Sequence, residues 1–298
     1  MIWGLIATNA NEVVLSGKDV KKFLPARPGT MHKGGRGRLL VAGGSEHYPG
    51  APALSALGAL RSGAGVVTLL SLPCVCSACA ARLPEVVYRP LEDRGDWLDA
   101  ALDTAPSYAA AVVGPGLERS GEAVDFVAKL WAHWPSDKPL LIDGDGLFAL
   151  AAREKGLFPR DSAVLTPHEG EAARLLGVSV SDVRADRGSA AKTLAERWGT
   201  VLLKGHGTLV AQRGKDTLFR LDWGGAELAV PGSGDVLSGC IGALLASGLN
   251  PLDAALLGGA LHGMAGDRLR AGGVDGVLAS EIAGTLREVL NELREAKS

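Results

Sequence analysis

The sequence predicts an α/β fold: a three-layer α/β/α sandwich around a mostly parallel sheet. Three observations carry the prediction. Short apolar runs recur along the chain without alternating, as parallel strands covered on both faces do. Each gives way to a longer stretch with helical spacing, the rhythm of strand–crossover–strand units. Glycine, at 41 of 298 residues, is about twice its usual ~7% share, and many of these glycines follow the apolar runs.

The elements read in order. Arg38–Ala42 is a strand running into Gly43-Gly44-Ser45, and Ala51–Arg61 is an Ala/Leu-rich helix halted by Gly63-Ala64-Gly65. Val66–Leu70 is the next strand, and Ala109–Val113 another, ending in Gly114-Pro115-Gly116. Leu140–Ile142 precedes Asp143-Gly144-Asp145-Gly146, and Ala163–Leu165 runs into Thr166-Pro167-His168-Glu169-Gly170-Glu171 before a helix. Val201–Leu203 stops at Lys204-Gly205-His206-Gly207. Thr208–Ala211 and Thr217–Leu221 flank a polar turn and predict an antiparallel hairpin at the sheet's edge. Val236–Leu249 and Ala254–Ala265 read as two buried helices, with Asn250-Pro251-Leu252-Asp253 as a capped turn between them. No repeat or low-complexity linker divides the chain, so residues 1–298 are expected to form a single domain. In open α/β sheets ligands bind outside the carboxyl ends of the strands, so the glycine-rich and charged loops should line one rim.

Composition excludes several classes. With 31 basic and 33 acidic residues the net charge is -2, which gives no reason to expect a nucleic acid or an acidic membrane surface as partner. An apolar share of 47% excludes a disordered chain. No run reaches the ~18–20 apolar residues that span a bilayer, and Met1–Asn11 lacks the basic region of a signal peptide. A soluble, cytoplasmic protein is expected. Cys74, Cys76 and Cys79 cluster without a fourth ligand at zinc-site spacing, so these and Cys240 read as reduced thiols.

The strongest motif is Pro231-Gly232-Ser233-Gly234-Asp235, opening an apolar helix. One reading is an anion hole: free N–H groups and the helix dipole converge where small residues let a phosphate approach. Asp235 would then accept the proton of a substrate hydroxyl as it meets the phosphoryl group. The other reading is a plain turn with an Asp cap. Lys204 could reach a phosphate as a point charge or lie solvated in a turn. His168 could touch a ligand or cap the helix after it, and Glu171 could hold Mg2+ through water or serve the helix dipole. Asp143 and Asp145 would repel unless a cation or hydrogen bonds compensate them. His262, among small residues, reads as a satisfied core histidine.

Taken together, these segments resemble the ribokinase-like superfamily and, within it, the ADP/ATP-dependent NAD(P)H-hydrate dehydratases. The resemblance rests on His32-Lys33-Gly34, Val41–Ser45, Pro49-Gly50-Ala51, Ala59–Gly65, Pro84-Glu85, Val113–Leu117 and Asp143–Leu147. It continues through Leu165–Ala172, Leu203-Lys204-Gly205, Gly232–Gly239 and Leu261-His262-Gly263.

The resemblance implies a ribokinase-like sandwich and a repair reaction: nucleotide-dependent dehydration of the S form of NADHX or NADPHX back to NAD(P)H. ADP, or alternatively ATP, would be the phosphoryl donor, with Mg2+. It implies Asp235 as base, with Gly232, Ser233 and Gly234 stabilising the moving phosphoryl group. Ala51, Gly116, His168 and Asp235 would contact the hydrated dinucleotide. Lys204, Gly205, His206, Gly207, Thr208 and Gly234 would contact the nucleotide. It further implies a homo-oligomer, with a tetramer as one form, and a separate NAD(P)HX epimerase as functional partner. A small-molecule kinase of the same superfamily, acting on a vitamin-precursor or sugar alcohol, is the alternative, since it would use the same aspartate and loop. Three departures from the family pattern stand out. Val230-Pro231 replaces the usual Thr-Gly and removes a backbone donor; if that disabled the loop, a non-catalytic nucleotide-binding protein would result. Gly144 replaces an alanine, and Glu118 stands where glycine is common.

Overall fold

The computed structural model describes residues 12–26 and 33–296; His32 and the Met1–Asn11 stretch lie outside them. The strands are β1 (Glu12–Val14), β2 (Arg38–Ala42), β3 (Val66–Ser71), β4 (Val87–Pro90), β5 (Ala110–Val113), β6 (Leu140–Ile142), β7 (Ala163–Leu165), β8 (Thr200–Leu203), β9 (Thr208–Gln212) and β10 (Leu218–Leu221). They form one ten-stranded sheet in the order β1-β10-β9-β8-β7-β6-β5-β2-β3-β4. Every pairing is parallel except those of β9 with β8 and β10, so β9 alone runs against the rest.

All the expected strands form. The hairpin lies at one end of the sheet, with the short β1 added outside it, parallel to β10. β1 and β4, the two edge strands, are additional to the expectation. Both are short and mix polar with apolar residues, and β4 ends in Pro90, tolerable only where the N–H has no ladder partner.

The helices are α1 (Gly17–Lys21), α2 (Gly50–Arg61), α3 (Pro73–Ala80), α4 (Trp97–Thr104), α5 (Gly121–His133), α6 (Asp145–Ala152), α7 (Glu169–Leu176), α8 (Val180–Ala185), α9 (Arg187–Trp198), α10 (Ser233–Ala246), α11 (Pro251–Arg270) and α12 (Ala279–Glu295). They cover both faces of the sheet. One core sets Leu39, Val41, Leu141 and Leu202 against Val236, Ile241, Leu257 and Leu286. The other sets Leu40, Ala42, Ile142 and Leu203 against Trp97, Trp131, Leu150 and Leu194. Alternate residues of a single strand thus enter opposite cores, which is why the strands read as unbroken apolar runs.

Small residues decide how closely the helices near the site approach. A Cβ on Gly239 of α10 would lie 1.8 Å from the Ser55 carbonyl oxygen of α2, and one on Gly58 would lie 2.4 Å from that of Val236. The two helices therefore meet backbone to backbone, and the Ser55 and Ser238 hydroxyls bridge them at 3.3 Å. This contact sets Val236, in the first turn of α10, against Gly58 in the second half of α2. The turn before α11 is capped as expected, with Asn250 Oδ1 accepting from Asp253 N at 2.9 Å.

Among the described residues, no helix is long and apolar enough to cross a membrane. The cysteines are unpaired, Cys74 exposed and the others buried; burial pushes Cys76 up to about 11 and Cys240 up to about 12, which leaves both thiols inert.

Candidate active site

Strands β2, β5, β6, β7 and β8 are neighbours in the sheet, so the loops at their carboxyl ends lie side by side. On the β2–β5 side the rim is bare backbone. Gly116 has φ +62°, and a Cβ there would lie 2.7 Å from Tyr48 O and 2.9 Å from Ala51 Cβ. Ala51 and Gly116, expected to bind the same ligand, are thus in contact range across the rim. Arg94, buried and unremarked in the sequence, ties the two loops together by donating to Leu117 O and to Gly44 O. Glu118 is the one non-glycine with positive φ, 70°, among the described residues. Its N–H donates to Asp145 Oδ2 at 2.9 Å, which offsets the strain of that conformation.

The β6–β8 side is built from charge. Lys204 Nζ lies 3.0 Å from Asp143 Oδ1 and 3.7 Å from Glu171 Oε2, with Asp143 almost wholly buried. Asp145 faces elsewhere and pairs with Arg119 Nε at 3.0 Å. The two aspartates straddling Gly144 therefore have separate cations, which answers their repulsion. Burial disfavours the Lys204 charge, but Asp143 and Glu171 outweigh it and hold the ammonium above its ordinary range. Burial also raises Glu171, reinforced by Asp143 and opposed by Lys204. Asp235 is pushed up to about 8, by burial first and by Asp143 second, with Lys204 pulling the other way. A carboxylate so perturbed, at a helix start beside a lysine, is poised to take and release a proton.

The loop before α10 has a specific build. Ser233 N donates to Val230 O at 3.2 Å, closing a turn with Pro231 at its second position and Gly232 at its third. Gly232 has φ 88° and ψ -8°, as the third position of a type II turn requires, and proline favours the second. Pro231 therefore sits where no N–H is needed, and the loop is intact despite that departure. Among the described residues, Gly234 N and Asp235 N have no backbone acceptor, so both donors point out of the helix start. Gly234 lies against the lysine: a Cβ there would lie 3.1 Å from Lys204 Nζ. The lysine and the loop are thereby adjacent.

Beyond Lys204, the loop to Thr208 turns through Gly205 and Gly207. Arg187, at the first position of α9, holds it from beneath. Its guanidinium donates to His206 O at 2.6 Å, Gly207 O at 3.0 Å, and Leu203 O and Lys204 O at 3.4 Å each. Nothing in the local sequence around Arg187 announces this. His168 caps α7, its Nδ1 accepting from Gly170 N at 2.9 Å and Glu171 N at 3.3 Å, while Glu171 Oε2 accepts from His168 N at 2.8 Å. The ring stays exposed at the rim. His262 is buried, with Nε2 against Ser233, so the core histidine also touches the loop.

No three or more His, Cys, Asp or Glu side chains among the described residues are grouped to hold a metal. Mg2+ bound chiefly by nucleotide phosphates and water needs only one or two protein carboxylates. Asp143 and Glu171, converging on Lys204, are a donor set of that size.

A family model described as NAD(P)H-hydrate dehydratase matches residues 39–288. An ADP-dependent (S)-NAD(P)H-hydrate dehydratase of Neisseria meningitidis is 39% identical over 91% of this chain and 90% of its own. A bifunctional NAD(P)H-hydrate repair enzyme of Escherichia coli is 38% identical over 93% of this chain. The chain spans 52% of that enzyme, about half the length of the bifunctional relatives it matches. The crystal structure of the ADP/ATP-dependent NAD(P)H-hydrate dehydratase of Bacillus subtilis, co-crystallised with ATP/Mg2+, superposes with a TM-score of 0.81 at 30% identity, covering 96% of this chain and all of that one. The chain belongs to the NAD(P)H-hydrate dehydratase family.

Proposed function

From that membership we propose that the protein restores NAD(P)H from the S form of its hydrate at the expense of a nucleotide phosphoanhydride. The observation that carries the proposal is Asp235: a half-buried carboxyl raised to about 8, at the mouth of a helix whose first free N–H groups face outward beside Lys204. Hydroxide is a poor leaving group, so the ring hydroxyl must be converted before it can depart. Asp235 takes the hydroxyl proton as that oxygen bonds to the terminal phosphorus of ADP, or of ATP, and the phosphoanhydride bond breaks. The N–H groups of Gly234 and Asp235, with the Ser233 hydroxyl, stabilise charge on the phosphoryl oxygens. The ring nitrogen lone pair then expels phosphate, and loss of a proton from the adjacent ring carbon completes the dihydronicotinamide.

In this reading Ala51, Gly116 and His168 hold the hydrated dinucleotide, and the loop from Lys204 to Thr208 with Gly234 holds the nucleotide. Asp143 and Glu171 would hold Mg2+, which when bound neutralises phosphate charge. The reading carries with it a cytoplasmic setting, an epimerase of the hydrate as functional partner, and homo-oligomeric assembly.

The test is absorbance at 340 nm on adding ADP or, separately, ATP to enzyme, Mg2+ and NADH hydrate. Recovery of NADH with release of one phosphate per ring supports the proposal. A stable phosphorylated alcohol with no NADH would instead mark a kinase.

A further inference from the structure

We propose that His262 is the positioning residue of the loop at Ser233, gripping its main chain through Nε2–H so that the Ser233 hydroxyl proton is free for a bound phosphoryl group. This rests on the phosphoryl-transfer reading above. His262 lies in α11 and is 7% exposed. Its Nε2 is 3.0 Å from Ser233 O and 3.1 Å from Ser233 Oγ. A carbonyl oxygen only accepts, so the nitrogen facing it must carry a hydrogen. Burial pushes His262 down to about 4, against the pull of the Ser233 hydrogen bond, so at neutral pH the ring carries one hydrogen and that hydrogen is on Nε2.

The consequence falls on Ser233. Its Oγ receives the same Nε2–H as a second acceptor, so its own hydrogen does not go to the imidazole. Its main-chain N–H is already committed to Val230 O at 3.2 Å. The hydroxyl is then the one donor Ser233 has left, alongside the free N–H groups of Gly234 and Asp235. Helix α11 can pack closely on α10 because Gly258 has no side chain: a Cβ there would lie 2.5 Å from Ile241 Cγ1.

The test uses His262→Leu, His262→Gln, Ser233→Ala and the Leu/Ala double variant, with 15N NMR of the imidazoles in nucleotide-free protein. The wild type should show Nε2 protonated and Nδ1 bare from pH 5 to 8. His262→Leu should lower kcat about tenfold to a hundredfold, with nucleotide KM changed less than about threefold. His262→Gln, which keeps a donor near the Nε2 position, should recover most of the loss. Ser233→Ala should add little in the Leu background, as expected of two residues acting through one contact. An Nδ1–H tautomer, or a His262→Leu enzyme with wild-type kcat, overturns the proposal. A wild type inert towards the hydrate would instead overturn the functional reading, and the NMR result would still judge His262, whether or not the Leu variant folds.

Discussion

The two halves of the rim are built on opposite plans. Around β2 and β5 the surface is glycine backbone, with φ +62° at Gly116 and φ +119° at Gly114, and the structure there depends on side chains being absent. Around β6, β7 and β8 it is a network of half-buried charge around the buried Asp143: Lys204, Glu171 and, beyond them, Arg187 with Glu169 3.4 Å away. Asp235 belongs with the charged half, where Asp143 and Lys204 act on its carboxyl. The contrast teaches where each half spends its free energy. In the proposed reading, bare backbone would admit the hydrated ring at the cost of strained dihedrals. In the same reading, Lys204 would hold a phosphate on the charged half, at the cost of desolvating the ion pairs around it.

Asp235 should give the largest effect, because it is the proposed base. Asp235→Asn is expected to lower kcat about 10²–10⁴-fold while nucleotide still binds, seen by single-turnover kinetics and calorimetry. The wild-type acid limb in kcat/KM should lie at about 8, activity rising as the Asp235 carboxyl loses its proton. The same raised value means that the folded protein holds a proton the unfolded chain gives up at ordinary aspartate pH. Folding stability is therefore lost progressively as pH rises from about 4 towards 8. Asp235→Asn should accordingly raise Tm, and by more at pH 8.5 than at pH 5, in paired thermal scans.

Lys204→Met tests the charged half. Leaving Asp143 and Glu171 without their cation should destabilise by about 3–5 kcal/mol in denaturant titrations, with part regained on adding Asp143→Asn. Nucleotide KM should rise about tenfold to a hundredfold. Because Lys204 lowers the Asp235 pKa, the acid limb should move upward in Lys204→Met; Asp143→Asn, removing a like charge, should move it downward.

Gly116→Ala tests the bare half. The new Cβ meets Tyr48 O and Ala51 Cβ in a left-handed conformation, so a loss of about 1–3 kcal/mol is expected. KM for the hydrate should rise while nucleotide Kd, measured by calorimetry, stays put. Equal disturbance of both ligands would erase the division between the halves.

Arg187→Ala is expected to be the mildest, raising nucleotide KM several-fold by loosening the loop it holds. Arg187→Lys should not restore it, since one ammonium cannot serve four carbonyls as the planar fork does.

Much of this was readable along the chain, for a local reason. Strands such as Leu39–Ala42 are buried on both faces, so every residue reports the same environment. The loop at Gly232–Asp235 announces itself because a tight turn and a helix start both leave marks in adjacent residues. β1 and β4 do not, since edge strands lack that uniform burial. Arg187 and Arg94 gave no local signal, because their partners lie far along the chain and an arginine looks alike in sequence whether solvated or buried. The doubt raised by Pro231 also needed the fold, since its effect depends on which N–H groups the turn uses.

By itself, then, the sequence determined the layering of the fold, the edge of the sheet where the glycine-rich and charged loops gather, and Asp235 as the candidate base there, because each follows from periodicity or from contiguous residues. Only the tertiary structure decided which partner each charged group meets. It gave Lys204 to Asp143 across 61 positions of chain, Asp145 to Arg119, and His262 to Ser233. Those pairings are properties of distance in space, set by how closely glycine-faced helices and neighbouring strands approach, and no short window of sequence contains them.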